Sequence, residues 1–286
     1  MKNAIKIEGL TKRYEGFCLD HVDITVPTGS IVGLIGENGA GKTTVIKAML
    51  QIVHPDEGAV EIFGKDMKTC GKEIKEDIGV VLGESHFHEF LTAKDVSAML
   101  GKIYKRWDSD LFFSYMERFN IPVQKKIKEY SKGMMMKLSI AAALSHHPRL
   151  LILDEATSGL DPAIRDEILD LFFEFIEDGE HSILVSSHIT SDLDKVADYV
   201  AMIHQGKILF FEEKDILLEK MGILKCSSEQ MKDLQNVEIL AVREHAYHID
   251  CLVGNKGQAR KQYPDLVIDD ATIEEIMIYY IRGKRI

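Results

Sequence analysis

Apolar residues along this chain follow three regimes. Over residues 5–26 they alternate with polar ones, with Leu19, Val22, Ile24 and Val26 at strand-like steps, until Pro27-Thr28-Gly29 gives a turn signal. A nearly unbroken apolar run at residues 31–35 predicts a buried strand, residues 44–52 a helix, and residues 59–63 and 78–82 two more strands. From about 84 to 147 the period becomes helical: Val96, Met99, Leu100 and Ile103, then Leu111, Phe112, Tyr115, Met116 and Phe119, then residues 134–144. This stretch reads as a helical insert. Strand signals return at 150–153, 182–186, 199–203 and 207–211, separated by helices at 162–176 and 191–197, and Pro162 suits a first helical turn. Very apolar strands alternating with helices predict an α/β domain whose mostly parallel sheet is buried on both faces. Beyond residue 221 the pattern predicts strands near 239–242, 247–253 and 266–268 and a last helix at 273–281, a small α+β extension. The domain division expected is therefore 1–221 and 222–286.

A chain of 286 residues, 45% hydrophobic, is long enough for one large domain or two smaller ones. No apolar run approaches the ~20 residues that span a bilayer, and the N-terminal residues lack the apolar stretch of a signal peptide. Cys18, Cys70, Cys226 and Cys251 are scattered without metal-ligand spacing, which points to reduced thiols. The His86/His88 and His146/His147 pairs have no carboxylate or cysteine at such spacing either and read as surface or loop residues. A net charge of −11 repels a phosphate backbone, so no nucleic-acid partner is expected, and the lysines within 125–128 read as a solvated face.

The chemistry is concentrated at Gly36-Glu37-Asn38-Gly39-Ala40-Gly41-Lys42-Thr43-Thr44, placed after a predicted strand and before a predicted helix. That setting is what a phosphate-binding loop requires. Glycines let successive backbone N–H groups turn inward around a polyphosphate, and the helix N-terminus adds about half a positive charge. Lys42 would reach the β and γ phosphates, and the Thr43 hydroxyl is placed to ligate Mg²⁺. A second apolar strand, 150–153, ends in Asp154 and Glu155. Ligands of open α/β sheets bind at strand C-termini, so these carboxylates belong beside the glycine-rich loop: Asp154 suits Mg²⁺, through water, and Glu155 an attacking water. His188, after the strand at 182–186, faces the same crevice as a candidate γ-phosphate sensor.

Taken in order, these residues resemble the ATPase subunit of an ATP-binding cassette (ABC) transporter over roughly residues 5–221. The markers are the phosphate loop, Tyr130-Ser131-Lys132-Gly133-Met134 in the place of the family signature, Asp154-Glu155, Ser158-Gly159-Leu160-Asp161 and His188. The resemblance implies a P-loop NTPase fold with an antiparallel β subdomain and a helical signature subdomain beside the core sheet. It also implies ATP and Mg²⁺ as cofactors, and hydrolysis between two ATPase subunits. Ser131 and Gly133 would meet the γ-phosphate held by a second copy or a close relative, Tyr14 would stack on adenine, and Asp161 would bridge the two subunits. Gly36, Asn38, Gly39, Ala40, Gly41 and Thr44 complete the nucleotide contacts, with Glu155, His188 and Lys42 as the catalytic set.

Departures from the family pattern are local. Tyr130, Lys132 and Met134 replace three of five signature residues, and the family's Mg²⁺-linked glutamine falls at Gly83 or Glu84, of which Glu84 is the candidate metal ligand. The signature form and the closing helix that starts at Thr272-Ile273-Glu274 are similar to ATPases of bacterial exporters for antimicrobial peptides, bacitracin-type antibiotics or peptide toxins. Such a subunit works at the cytoplasmic face of the cell membrane through a separate transmembrane permease. Residues 84–92, with Phe87, Phe90 and Leu91, are the expected docking surface. Two alternatives remain open: a soluble cassette ATPase not linked to transport, and a phosphate-loop kinase acting on a small molecule.

Overall fold

The computed structural model describes residues 2–83 and 87–284. The N-terminal alternation forms β1 (Asn3–Tyr14) and β2 (Phe17–Pro27), an antiparallel hairpin. The apolar run is β3 (Ile31–Ile35), fully buried, and it feeds α1 (Lys42–Met49). The helix begins two residues before the start the sequence predicts because the glycine-rich loop itself turns into its first turn. Next come β4 (Glu57–Ile62), β5 (Lys65–Asp66), α2 (Met67–Ile74) and β6 (Ile78–Leu82).

The insert holds α3 (Ala93–Leu100), α4 (Ser109–Arg118) and α5 (Lys132–Leu144). Their starts are written in the sequence: Thr92 and Asp95 form a capping box, and Asp108 and Ser131 cap the other two. The chain then returns to the sheet through β7 (Leu150–Asp154), α6 (Pro162–Ile176), β8 (Ser182–Ser187), α7 (Thr190–Val196), β9 (Tyr199–His204), β10 (Lys207–Glu213) and α8 (Lys214–Lys220). The last segment contains β11 (Gly222–Cys226), α9 (Ser228–Asp233), β12 (Ile239–Glu244), β13 (Ile249–Val253), α10 (Lys256–Gln262), β14 (Val267–Asp270) and α11 (Ile273–Arg282).

Three sheets result: β2-β1-β4-β5, antiparallel; β10-β9-β3-β8-β7-β6, parallel except for edge strand β10; and β12-β13-β11-β14, antiparallel. The central order places β3 and β7 on either side of β8, so the C-termini of all three open on one edge. Side chains divide accordingly. Val32, Leu34, Ile152 and Leu184 pack with α1 and the antiparallel sheet, whereas Ile31, Ile35, Leu151, Leu153, Ile183 and Val185 pack with the insert, α6 and α7. Gly33 lets α7 approach closely, since a Cβ there would meet Leu193 Cδ1 at 2.8 Å.

The C-terminal sheet differs from expectation in two places. Its central strand β11 carries too short an apolar signal to be read from the sequence, and the strand expected from residue 247 starts at Ile249, because Tyr247, 96% exposed, lies in the turn. Helix α11 packs within its own chain. Ile276 and Tyr279 face the C-terminal sheet, while Ile273 and Met277 meet the main core. Among the described residues, no helix is long and apolar enough to cross a membrane.

Candidate functional site

The loop between β3 and α1 is built for backbone approach. A Cβ on Gly36 would lie 2.4 Å from the Ile203 carbonyl oxygen, and Gly39 and Gly41 take φ of 82° and 117°, the left-handed region open to glycine. The loop is pinned by Ala40: its N–H donates to the Glu37 carbonyl at 3.1 Å and its carbonyl accepts from the Gly206 N–H at 2.9 Å. No side chain caps α1, so the first-turn N–H groups face the pocket as anion donors. Lys42, 5% exposed, donates from Nζ to the carbonyls of Gly36 (2.7 Å) and Glu37 (3.2 Å) and lies 3.2 Å from Glu155 Oε1.

Across the crevice, β7 delivers its two carboxylates. The Thr43 hydroxyl donates to Asp154 Oδ2 at 2.8 Å, and the Ser186 hydroxyl donates to Oδ1 at 2.5 Å. Asp154 is thereby fixed in a buried place by two short hydrogen bonds. Glu155 takes φ of 53°, a strained position for a side-chain-bearing residue, and its N–H is tied to the Ser186 carbonyl at 3.1 Å and hydroxyl at 3.2 Å. That turn aims its carboxylate at His188, whose Nδ1 lies 2.5 Å from Oε2. A carboxylate only accepts, so Nδ1 carries the proton and, in the neutral ring, Nε2 is left as an acceptor.

Together with Phe17, Ser158, Glu155 and His188, the loop residues Asn38, Gly39, Gly41, Lys42, Thr43 and Thr44 line a pocket of about 340 Å³. Its chemistry is that of a polyphosphate site with a carboxylate and an imidazole at its rim. The Thr43 hydroxyl gives its proton to Asp154 Oδ2 at 2.8 Å, which leaves its oxygen lone pairs free for Mg²⁺ and places the carboxylate where it would hold a water of that ion. Gly83 lies beside the Asp154 carbonyl, while Glu84 falls outside the described residues.

Other expected residues lie elsewhere. Tyr14 is 46% exposed, its ring 6.4 Å from that of Phe17, and it is Phe17 that touches the pocket. Ser131 caps α5 by accepting from the Met134 N–H at 3.2 Å, and Asp161 caps α6 by accepting from the Ile164 N–H at 3.1 Å. Gly133 is pressed against Ile164, where a Cβ would meet Cδ1 at 2.4 Å. These three form a second cluster against α6 that does not line the pocket of their own chain. Sequence reasoning assigned no part to Phe17, Ser158 or Ser186. Ser186 reaches Asp154 because the two residues are register partners on the neighbouring parallel strands β8 and β7.

A second concavity, of about 310 Å³, runs between β6 and the insert, lined by Val80, Leu82, Phe87, Met99, Leu100 and Tyr104 among others. Phe87 and Leu91 also pack on the main core, whereas Phe90 is 53% exposed with Lys126 and Lys128 over its ring at 5.8 and 5.3 Å. His146 corrects the surface expectation: it sits in the turn after α5, 1% exposed, stacked on Tyr104 at 4.0 Å.

Comparison with known proteins agrees with this geometry. The "ABC transporter" family profile matches residues 19–158. The bacitracin transport ATP-binding protein BcrA of Bacillus licheniformis is 36% identical, with 100% of each chain covered. The ABC transporter ATP-binding protein YtrB of Bacillus subtilis is 30% identical over 98% of this chain and 99% of its own, and the lantibiotic transport ATP-binding protein SrtF of Streptococcus pyogenes 31% over 82% and 97%. Among solved structures, the ATP-binding subunit of an ABC transporter superposes with a TM-score of 0.68 at 25% identity, covering 74% of this chain and 91% of that one.

Proposed function

The chain belongs to the ABC transporter family of ATP-binding proteins, and from that premise we propose that it hydrolyses ATP to power export of a peptide or antibiotic through a separate membrane subunit. The observation that carries the reading is the placement of Glu155, between Lys42 at 3.2 Å and His188 at 2.5 Å at the mouth of the phosphate loop. The backbone donors of residues 36–44 hold the polyphosphate, and Lys42 exchanges its carbonyl partners for phosphate oxygens. As Lys42 turns away, Glu155 is released from its ion pair to accept a proton from water, while His188 keeps the carboxylate oriented. Mg²⁺, held by Thr43 and, through water, by Asp154, would neutralise charge on the phosphates.

The pocket is open on one side, and the cluster of Ser131, Gly133 and Asp161 belongs, in this reading, to the pocket of a second copy or close relative. The Ser131 hydroxyl, which caps α5, and the Gly133 N–H beside it suit a γ-phosphate presented from that copy. Closure would complete the site and exclude water. The apolar groove at Phe87, Met99 and Tyr104 receives the membrane subunit, which holds the chain at the cytoplasmic face, and residues 222–286 act as an accessory module. Support for the transport reading comes from relatives named as bacitracin and lantibiotic transport proteins, aligned over most or all of both chains.

The test is product analysis with the purified full chain, ATP and Mg²⁺, followed by copurification with a coexpressed membrane subunit. Release of inorganic phosphate and a stable complex are expected. A phosphorylated small molecule in place of free phosphate would establish the kinase alternative, and ATPase activity with no membrane association would establish the soluble one.

A further inference from the structure

Among the described residues, one group of side chains outside the nucleotide site has ligand chemistry that neither the fold nor the reaction uses. His245 and His248 flank the turn between β12 and β13, closed by a hydrogen bond from the His245 N–H to the His248 carbonyl at 2.9 Å, and Asp250 follows on β13. His245 Nε2 is 3.2 Å from Asp250 Oδ2, and His248 Nε2 is 3.3 Å from Asp250 Oδ1. The two imidazoles are stacked at 4.7 Å, and one donor atom from each of the three residues lies within 4.8 Å of the others.

We propose that His245, His248 and Asp250 form a binding site for one zinc-class divalent ion, which clips the β12–β13 turn of the C-terminal sheet. Two donors of a tetrahedral zinc site, each 2.0–2.1 Å from the metal, are separated by about 3.3 Å, and each imidazole already has that spacing to one oxygen of the Asp250 carboxylate, His245 to Oδ2 and His248 to Oδ1. The Asp250 side chain is 13% exposed, and its Oδ1 is buried without a hydrogen bond. Cations that neighbour it in register are engaged elsewhere: Lys225 pairs with Asp269 at 2.7 Å, and the Arg243 guanidinium lies over the Tyr279 ring at 5.6 Å. The largely buried Asp250 carboxylate faces the two imidazoles and the Tyr279 hydroxyl, with no lysine or arginine paired to it among the described residues, so a metal ion would supply the compensating charge. The two histidines leave the outer side of the turn open, their side chains 38% and 46% exposed, so a water completes the coordination. The imidazole and carboxylate donors favour zinc over Ca²⁺ or Mg²⁺.

The experiment is a calorimetric titration of Zn²⁺ into the chelator-treated full chain, with Co²⁺ absorption as a reporter of tetrahedral geometry. One ion per chain is expected, with affinity reduced about 100-fold or more in the His245→Ala/His248→Ala double variant, because both changed residues are direct ligands. A thermal midpoint raised by Zn²⁺ in the parent and unmoved in the double variant is the second readout. Both histidines are at the surface, so the variant keeps its fold, and Asp250→Asn supplies an independent loss of one ligand. Absence of saturable binding, or binding that persists unchanged in the double variant, overturns the site.

Discussion

His188 Nδ1 lies 2.5 Å from Glu155 Oε2, joining the end of β8 to the end of β7 directly over the phosphate loop. Two strands that are neighbours in the sheet thus position an imidazole and a carboxylate that are 33 residues apart in sequence. The pairing fixes the orientation of Glu155 while leaving Oε1 to Lys42, so one carboxylate ties the phosphate-loop lysine to the imidazole at the end of β8.

The first prediction concerns that carboxylate. Glu155→Gln keeps the volume and the bond to His188 but removes the base, so hydrolysis should fall by about 10²- to 10⁴-fold while ATP affinity is retained. Phosphate release and nucleotide binding measured on the same preparation check it. Turnover at the parent rate would remove Glu155 from the mechanism.

Ser186 offers a test that the sequence alone did not suggest. Its hydroxyl donates to Asp154 and also accepts from the Glu155 N–H, and it is fully buried. Ser186→Ala leaves a buried carboxylate oxygen short of a donor, which should cost about 1–3 kcal/mol of stability and weaken the dependence of hydrolysis on Mg²⁺. Denaturant midpoints and a Mg²⁺ titration of activity give the two readouts. An unchanged midpoint would mean that water replaces the hydroxyl without loss.

What could be read in advance follows from how local each signal is. The phosphate loop, the Asp154-Glu155 strand end and Pro162 are contiguous patterns, and their elements formed close to where the pattern put them, with α1 starting earlier at Lys42. Phe17 and Ser186 were missed because their places depend on the β1–β2 pairing and on parallel strand register, which no short window encodes. The central strand β11 was missed for a related reason. Only Ile223 and Leu224 mark it before Lys225 breaks the run, and its identity comes from the partners β13 and β14 on either side. The folding of α11 onto its own chain is likewise a tertiary fact, since its apolar stripe alone would suit any covering surface.

Gly36 links backbone geometry to binding. A methyl group there would meet the Ile203 carbonyl at 2.4 Å, and a backbone atom in a central strand cannot yield as a side-chain tip would. Gly36→Ala should therefore displace the loop, lowering stability by about 1–3 kcal/mol and abolishing measurable ATP affinity. Fluorescent-nucleotide titration alongside thermal melting distinguishes this from Gly133→Ala, where the contact is the flexible end of Ile164 and nucleotide affinity should survive. Equal nucleotide affinity in the Gly36 variant and the parent would refute the argument.

His146 predicts an acid sensitivity that has nothing to do with catalysis. Its Nε2 lies 3.0 Å from the Ile78 carbonyl oxygen, which can only accept, so Nε2 bears the proton; Nδ1 is buried with no hydrogen-bond partner. Protonating the ring would bury a charge, and that burial outweighs the help of the Ile78 and Ala142 carbonyls, pushing the folded-state pKa below the ordinary histidine value of 6.5. Below that value the unfolded chain holds more protons than the folded one, so the contribution of His146 is intact above about pH 6.5 and is lost as pH falls towards the depressed folded value. Thermal midpoints of the parent and of His146→Gln at pH 7.5 and 5.5 isolate the effect. The variant, which lacks the titrating ring, should be less stable than the parent at pH 7.5 but lose less on acidification. An identical acid-induced drop in the two proteins would show that Nδ1 finds a partner on protonation, and that the β6–α5 junction tolerates charge.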